Sequence, residues 1–270
     1  MYNTDPKIPQ AATAIKALVE DERRRPRKRV YYIGQLQVLL EDRFFPWLIY
    51  NAAVQLYRSG YLKRQIAKTT HADKVTFLFH HHFATSQMRT RIATTTSLID
   101  KYSRPRVAKI LGLHLEALVK AELRAQGFDI VGEHTNQYKG NRWTKTDHNL
   151  DFIAEHRSGR LAIGVEVKNT LSVPERDEIQ TKLDLCRYLN LTAVFATRWM
   201  KPYVQLIREQ GGFSWFFKTQ IYPLDYEKFT QIIWNKLGLP VTVRTELPPK
   251  SVAIFSEWVR KSTVTNREIR

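Results

Sequence analysis

Cysteine is almost missing: Cys186 is the single one in 270 residues. Neither an internal disulfide framework nor a Cys-rich zinc site can therefore be built. Acidic residues are also short, 26 Asp and Glu against 43 Lys and Arg, which leaves a formal charge of +17. With 43% hydrophobic residues the chain is too apolar for a disordered basic tail, and it reads as a globular protein that seeks polyanions. No uninterrupted apolar run approaches the roughly 18 residues of a membrane helix. The opening MYNTDPKIPQ has neither an apolar signal core nor an Arg-rich transit pattern. These absences predict a soluble protein, cytoplasmic or nucleoid-associated, with no membrane partner. Also lacking are a Walker loop, a Gly-rich dinucleotide fingerprint, a Gly-x-Ser-x-Gly elbow and any solenoid-period repeat.

The length suits one large or two modest domains of about 100 to 200 residues each. Charge and composition favour two: a winged-helix-like portion at 1–84, a Ser/Thr-rich connector at 85–105 closed by Pro105, and a larger portion at 106–270. The connector has an alternative reading as a polar helix, because Ile92 and Ile99 are seven apart. In the first portion the patterning predicts helices over 11–22 and 33–43. A third opens at Pro46 and closes near Gly60, and strands follow at 61–67 and 74–83. Three helices followed by a hairpin resemble the winged helix-turn-helix family in order and length. On the third helix Asn51, Gln55 and Arg58 fall at i, i+4 and i+7, and such side chains can read base edges. A solvated helix face explains the same spacing. Lys63, Arg64 and Lys68 on the hairpin, with the run Arg23 to Arg29, suit phosphate contacts. Strand alternation leaves His80 and His82 on one face and His81 on the other, so these read as structural or phosphate-contacting histidines rather than a zinc site.

The larger portion holds the chemistry. A helix from about 106 to 125 ends at Gly127, a strand covers 128–138, and NLDFIAEHR and RLAIGVEVKN flank Ser158-Gly159 as a tight hairpin. Facing residues of that hairpin sum to 317, which sets Asp151 opposite Glu166 with Lys168 on the same face. Leu161, Ile163, Val165 and Val167 form the core-facing set. Two carboxylates at cross-strand distance repel unless neutralised, and a hard divalent ion does so while accepting phosphate oxygens. A salt-bridged strand pair flanking Lys168 is the structural alternative.

Asp151 followed across a hairpin by Glu166-Val167-Lys168 resembles the PD-(D/E)xK nuclease superfamily, the restriction-endonuclease-like fold. Gly112-Leu113-His114-Leu115-Glu116 and Asp151-Phe152-Ile153-Ala154 are similar to the helix and strand motifs of its archaeal Holliday-junction-resolvase-like branch. Leu150 stands where the superfamily name has Pro. The resemblance covers about 104–200 and implies an α/β fold, a mixed sheet flanked by helices, behind the smaller winged-helix-like domain. It implies a DNA endonuclease using Mg2+ or Mn2+, with Asp151, Glu166, the Val167 carbonyl and Glu116 holding the ion and Lys168 assisting the nucleophile and transition state. It also implies a homodimer with two active sites. Gln180 matches a Gln that related nucleases carry on the next helix, while Asp184 stands where one branch has Tyr. That helix is expected from a Ser172-x-x-Glu175 capping box through about Asn190. A non-catalytic DNA-binding regulator with an inactive core, and an RNA-directed nuclease, are the competing readings. Trp215, Phe216 and Phe217 are expected in a core or dimer surface, Cys186 as a buried thiol, and His148 as an auxiliary base or an incidental loop residue.

Overall fold

The structure, a computed structural model, describes residues 5–24, 30–71 and 74–264, with the side chains of 21–24 excepted. The arginine run at 23–29 therefore lies outside the described side chains. The chain divides into two compact units, the first covering Met1–Lys109 with Ile233–Leu239 and the second Ile110–Ile232 with Pro240–Arg270. Among the described residues no helix is long and apolar enough to cross a membrane.

The first unit begins with α1 (Lys7–Arg24), a short strand β1 (Tyr31–Tyr32), α2 (Ile33–Leu39) and α3 (Pro46–Arg58). Pro46 takes the first helical position of α3, where its missing N–H costs nothing. Gly60 follows the helix with φ +75°, a conformation that suits a residue without Cβ. Ile8, Ile15, Leu36, Leu48, Ile49 and Leu56 close the core between these helices. Next come β2 (Leu62–Ala67) and β3 (Val75–His80), antiparallel, with β1 adding to the far side of β3 in the order β1-β3-β2. Two residues are too short a run to announce β1 in the sequence. The 85–105 stretch is no extended connector: it folds as α4 (Thr85–Tyr102), burying Met88, Ile92, Leu98 and Ile99. A sparse stripe at near-helical spacing is enough once it has a surface to cover. The helix expected over 33–43 stops at Leu39. Residues 233–239 join this unit, where buried Gln35 donates from Nε2 to the Leu237 carbonyl at 2.7 Å.

The second unit is a mixed sheet flanked by helices, in the order β10-β9-β8-β7-β4. Here α5 (Pro105–Ala125) leads into β4 (Phe128–Thr135), the small hairpin β5 (Gln137–Tyr138) and β6 (Asn141–Arg142), then β7 (Leu150–His156) and β8 (Ala162–Lys168). After these come α6 (Arg176–Tyr188), β9 (Thr192–Thr197), α7 (Val204–Glu209) and β10 (Phe213–Phe216). The chain closes with β11 (Gln220–Tyr222), α8 (Glu227–Leu237), β12 (Val241–Val243) and α9 (Pro249–Thr263). Strands β4, β7 and β8 run antiparallel, whereas β8, β9 and β10 run parallel.

One face of this sheet, carrying Phe152, Ile163, Val165 and Val167, packs against Leu115, Val119 and Leu123 of α5 and Phe255 and Val259 of α9. Trp215 and Phe217 are buried in that core, the Trp215 ring stacked on Phe255 at 4.0 Å, while Phe216 between them is half-buried toward the opposite face. The opposite face is covered too: Ile153, Ala193 and Phe195 meet Ile179, Leu183 and Cys186 of α6 and Ile207 of α7. Strand β8, between antiparallel β7 and parallel β9, is thus buried on both sides. Burial pushes the Cys186 thiol up to about 12, which makes it inert. Gly164 marks how close α6 lies, because a Cβ there would meet Cys186 Sγ and Leu150 Cδ1 at 2.7 Å. Gly164→Ala should therefore cost about 1–3 kcal/mol of stability, read by urea denaturation, since both neighbours are locked in a core.

Candidate functional site

The β7–β8 ladder pairs Phe152 with Val165 and Ala154 with Ile163, the register that hairpin arithmetic requires. The turn is wider than a two-residue loop: His156 N–H donates to the Leu161 carbonyl, and Gly159 N–H bonds back to His156 O. Extending the ladder by one step brings Asp151 beside the Glu166 strand. There one Asp151 oxygen, Oδ2, accepts the Val167 amide N–H at 2.6 Å. Alternation along β8 sets Glu166 and Lys168 on the α6 side, and the Lys168 ammonium reaches Glu166 Oε1 at 3.2 Å.

Helix α6 supplies two groups that no motif announced. Lys182 donates to Glu166 Oε2 at 2.5 Å and also bonds the Asn149 carbonyl. Glu178, one turn earlier on α6, pairs with Lys168 at 2.6 Å. Glu166 is thus held between two lysines, one oxygen each, with its side chain 5% exposed and that of Lys168 30% exposed. Lys182 was legible in principle, because it stands beside Ile179, Leu183 and Cys186 on the buried stripe of α6. A lysine on such a stripe needs a buried anion. Gln180, by contrast, faces away. Its Nε2 donates to Asp184 Oδ1 at 3.0 Å and its Oε1 accepts from Gln210 at 3.3 Å, because two residues of helix rotate it away from Glu178 and Lys182. The helix itself starts at Arg176 with Glu175 as its N-cap residue. Ser172 belongs to the preceding loop, where its carbonyl accepts the Thr170 hydroxyl.

That loop is pinned by buried polar groups. Asn169, directly after Lys168, donates to the Leu111 and Ile221 carbonyls and accepts the Ile221 amide. Arg198, at the end of β9, donates to the Thr170 and Leu171 carbonyls. The Lys168 end of the strand is therefore rigidly held, as a preorganised site demands.

Electrostatics mark the same spot. Burial raises the Asp151 carboxyl above its usual range; the Val167 N–H and the two lysines oppose this, and the Glu116 charge adds to it. Burial also raises Glu166, reinforced by repulsion from Asp151 and opposed by Lys182 and Lys168. For Lys168, burial works against the charge, but Glu166 and Glu178 outweigh it and hold the ammonium above its usual value. Two desolvated carboxylates that both resist ionisation would be relieved by a hard cation, although each Glu166 oxygen already holds a lysine ammonium that such an ion would have to displace or share. Glu116, half-buried on α5, acts on Asp151 through its charge, yet does not close with Asp151 and Glu166 into a group of three. Val167 contributes its amide to Asp151. His148 is engaged by the Thr146 hydroxyl at 3.0 Å.

Removing one partner of the buried pair tests this arrangement. Lys182→Met should lower stability by about 3–5 kcal/mol in chemical denaturation, because it strips a charge from buried Glu166. Adding Glu166→Gln should recover part of the loss, and that non-additivity measures the coupling.

In the first unit α3 buries Leu48, Ile49, Ala52, Ala53 and Leu56 and turns another face outward. Gln55 and Arg58 are exposed there, while Asn51 donates back to the Trp47 carbonyl of its own helix at 3.0 Å. Exposed Trp47, Tyr50 and Tyr57 share that helix. Arg64 of β2 lies over the Tyr57 ring at 4.5 Å, Lys63 donates to the Phe83 carbonyl, and Lys68 is exposed. His80, His81 and His82 are brought together, contrary to strand alternation, because β3 ends at His80 and a turn follows. In comparisons with known proteins, no family model matches the chain, and neither a curated protein nor a solved structure does.

Proposed function

We propose that the chain is a metal-dependent endonuclease of the PD-(D/E)xK kind that hydrolyses phosphodiester bonds in DNA, with its first unit acting as a winged-helix-like module that positions the substrate. The observation that carries this reading is the meeting of Asp151, Glu166 and Lys168 at one end of a mixed sheet, with Lys168 3.2 Å from Glu166. Mg2+ or Mn2+ held there would supply charge stabilisation at the phosphate and a more acidic water. The chain's own groups do the rest. Asp151 and Glu166 offer carboxylate oxygens, the Val167 amide orients Asp151, and Glu116 adds negative charge. Lys168, kept cationic by Glu166 and Glu178, faces the charge that develops on the phosphate. Lys182 neutralises Glu166 from the buried side.

The first unit supports the substrate class. Its α3 face combines Gln55 and Arg58 with exposed Trp47, Tyr50 and Tyr57, and aromatic faces beside cations suit stacked bases and phosphates. A homodimer with paired sites belongs to the same proposal and is read by sedimentation. A non-catalytic DNA-binding regulator is the second reading, favoured by Lys182 and Lys168 occupying both oxygens of Glu166.

Incubation with linear, nicked, branched and single-stranded DNA, and with RNA, separates the readings. Cleavage of DNA that requires Mg2+ or Mn2+ supports the enzyme. Tight binding with no cleavage of any form supports the regulator, and degradation of RNA with duplex DNA spared supports an RNA nuclease. Gln180→Ala is expected to cut at the wild-type rate, because Gln180 bonds Asp184 and Gln210 instead of the carboxylates.

A further inference from the structure

We propose that His80, His81 and His82 form a second metal site, in the first unit, that takes a borderline-soft ion such as Zn2+ rather than Mg2+. Neighbouring residues of a strand point to opposite faces, so three consecutive histidines converge only if the strand stops among them. It does: β3 ends at His80, and the Phe83 amide bonds back to the His80 carbonyl at 3.1 Å to form a turn. One ring nitrogen from each histidine then lies within 4.8 Å of the others. The rings touch one another, with centroids 4.3 to 4.8 Å apart.

The surrounding bonds orient His81 as a ligand needs, whereas at His80 an ion would replace an existing bond, because its Nδ1 accepts the His82 amide at 3.2 Å. The Tyr61 carbonyl, next to the start of β2, accepts from the His81 amide at 3.3 Å and faces its Nδ1 at 3.1 Å. A carbonyl only accepts, so His81 Nδ1 carries the proton and Nε2 keeps its lone pair for a metal. Tyr61 is in turn fixed by its hydroxyl, which donates to Glu20 at 2.8 Å. His80 is 2% exposed and packs edge-on against Tyr61, which makes it the rigid member. His81 and His82 are exposed and can turn toward it. Nitrogens about 2.0–2.1 Å from one tetrahedral Zn2+ sit roughly 3.3 Å from each other, so closure asks for about 1.5 Å of movement from two exposed rings. Three neutral imidazoles without a carboxylate suit Zn2+, Co2+, Ni2+ or Cu2+ and not Mg2+. They leave a fourth position to solvent.

This site is independent of the nuclease reading, and its test is chosen to keep the two apart. Zinc calorimetry and cobalt absorption spectra are recorded on the full chain, on His81→Ala, on His82→Ala and on Asp151→Asn. The expected result is one Zn2+ per wild-type chain, a tetrahedral Co2+ spectrum, and a rise in thermal midpoint on adding Zn2+. All three persist in Asp151→Asn and are lost in both histidine variants. His82→Ala removes an exposed ring, so its metal-free midpoint should equal that of the wild type; His81→Ala also loses the bond to the Tyr61 carbonyl, so its midpoint should fall slightly while its circular dichroism stays native. No uptake by the wild type, or uptake unchanged in either histidine variant, would overturn the proposal.

Discussion

Lys168→Ala is expected to slow metal-dependent DNA cleavage by about 100- to 1000-fold, the usual effect of removing one group aimed at developing charge. Lys168 is the more exposed of the two lysines on Glu166, and it alone also pairs with Glu178. Burial works against its charge, but Glu166 and Glu178 more than compensate, so the ammonium stays protonated through neutral pH. That makes it an electrostatic stabiliser and not a general base. The fold should tolerate the change, because Lys182 remains on Glu166 Oε2 and carries the buried half of the neutralisation. Single-turnover cleavage and a denaturation curve read the two effects separately. An unchanged rate would remove Lys168 from the reaction.

Asp151→Asn should abolish cleavage and make the protein more stable at neutral pH. Loss of an outer-shell partner alone costs about 10- to 100-fold in metal affinity, and loss of a carboxylate ligand costs at least as much. The gain in stability follows from the sign of the shift. Burial holds the Asp151 carboxyl above its usual range, with the Val167 amide opposing and the Glu116 charge adding, so folding favours the protonated form. For an acid shifted in this direction the native state binds the extra proton, and stability falls as pH rises from the unfolded value through the folded one. Glu166 is displaced the same way, by burial and then by Asp151. Above that window both carboxylates are ionised at a cost. Asparagine keeps an acceptor for the Val167 amide and removes the charge. Calorimetry should show a higher midpoint for Asp151→Asn near neutral pH and a difference that shrinks as the pH is lowered and wild-type Asp151 takes up its proton. A lower midpoint at neutral pH would mean that the charge is balanced by groups other than those described.

The sheet end was legible because hairpin register is arithmetic: a turn around Ser158-Gly159 with strict alternation fixes which residues face each other, and the ladder keeps that register although its turn is wider. Elements with dense apolar spacing, such as α3 and α5, could be read for the same reason. What alternation cannot give is how far a helix is rotated about its axis over the sheet. That is why Gln180 was expected near the carboxylates, while Glu178 and Lys182 occupy the position. Helix α4 hid behind Thr and Ser, its burial resting on four apolar residues that gain meaning only against a partner surface. The histidines illustrate the opposite error: alternation was applied two residues past the end of β3. The Asn169 and Arg198 bonds that hold the loop connect residues far apart in sequence, and no local pattern encodes them.

The central claim is that Asp151 and Glu166 share a divalent ion while Lys168 stands beside it. Anomalous diffraction from manganese-soaked crystals reads this directly. The account predicts a manganese peak between the two carboxylates of the wild type and none in Asp151→Asn. Ordered Asp151 and Glu166 side chains with no manganese between them at saturating concentration would contradict it.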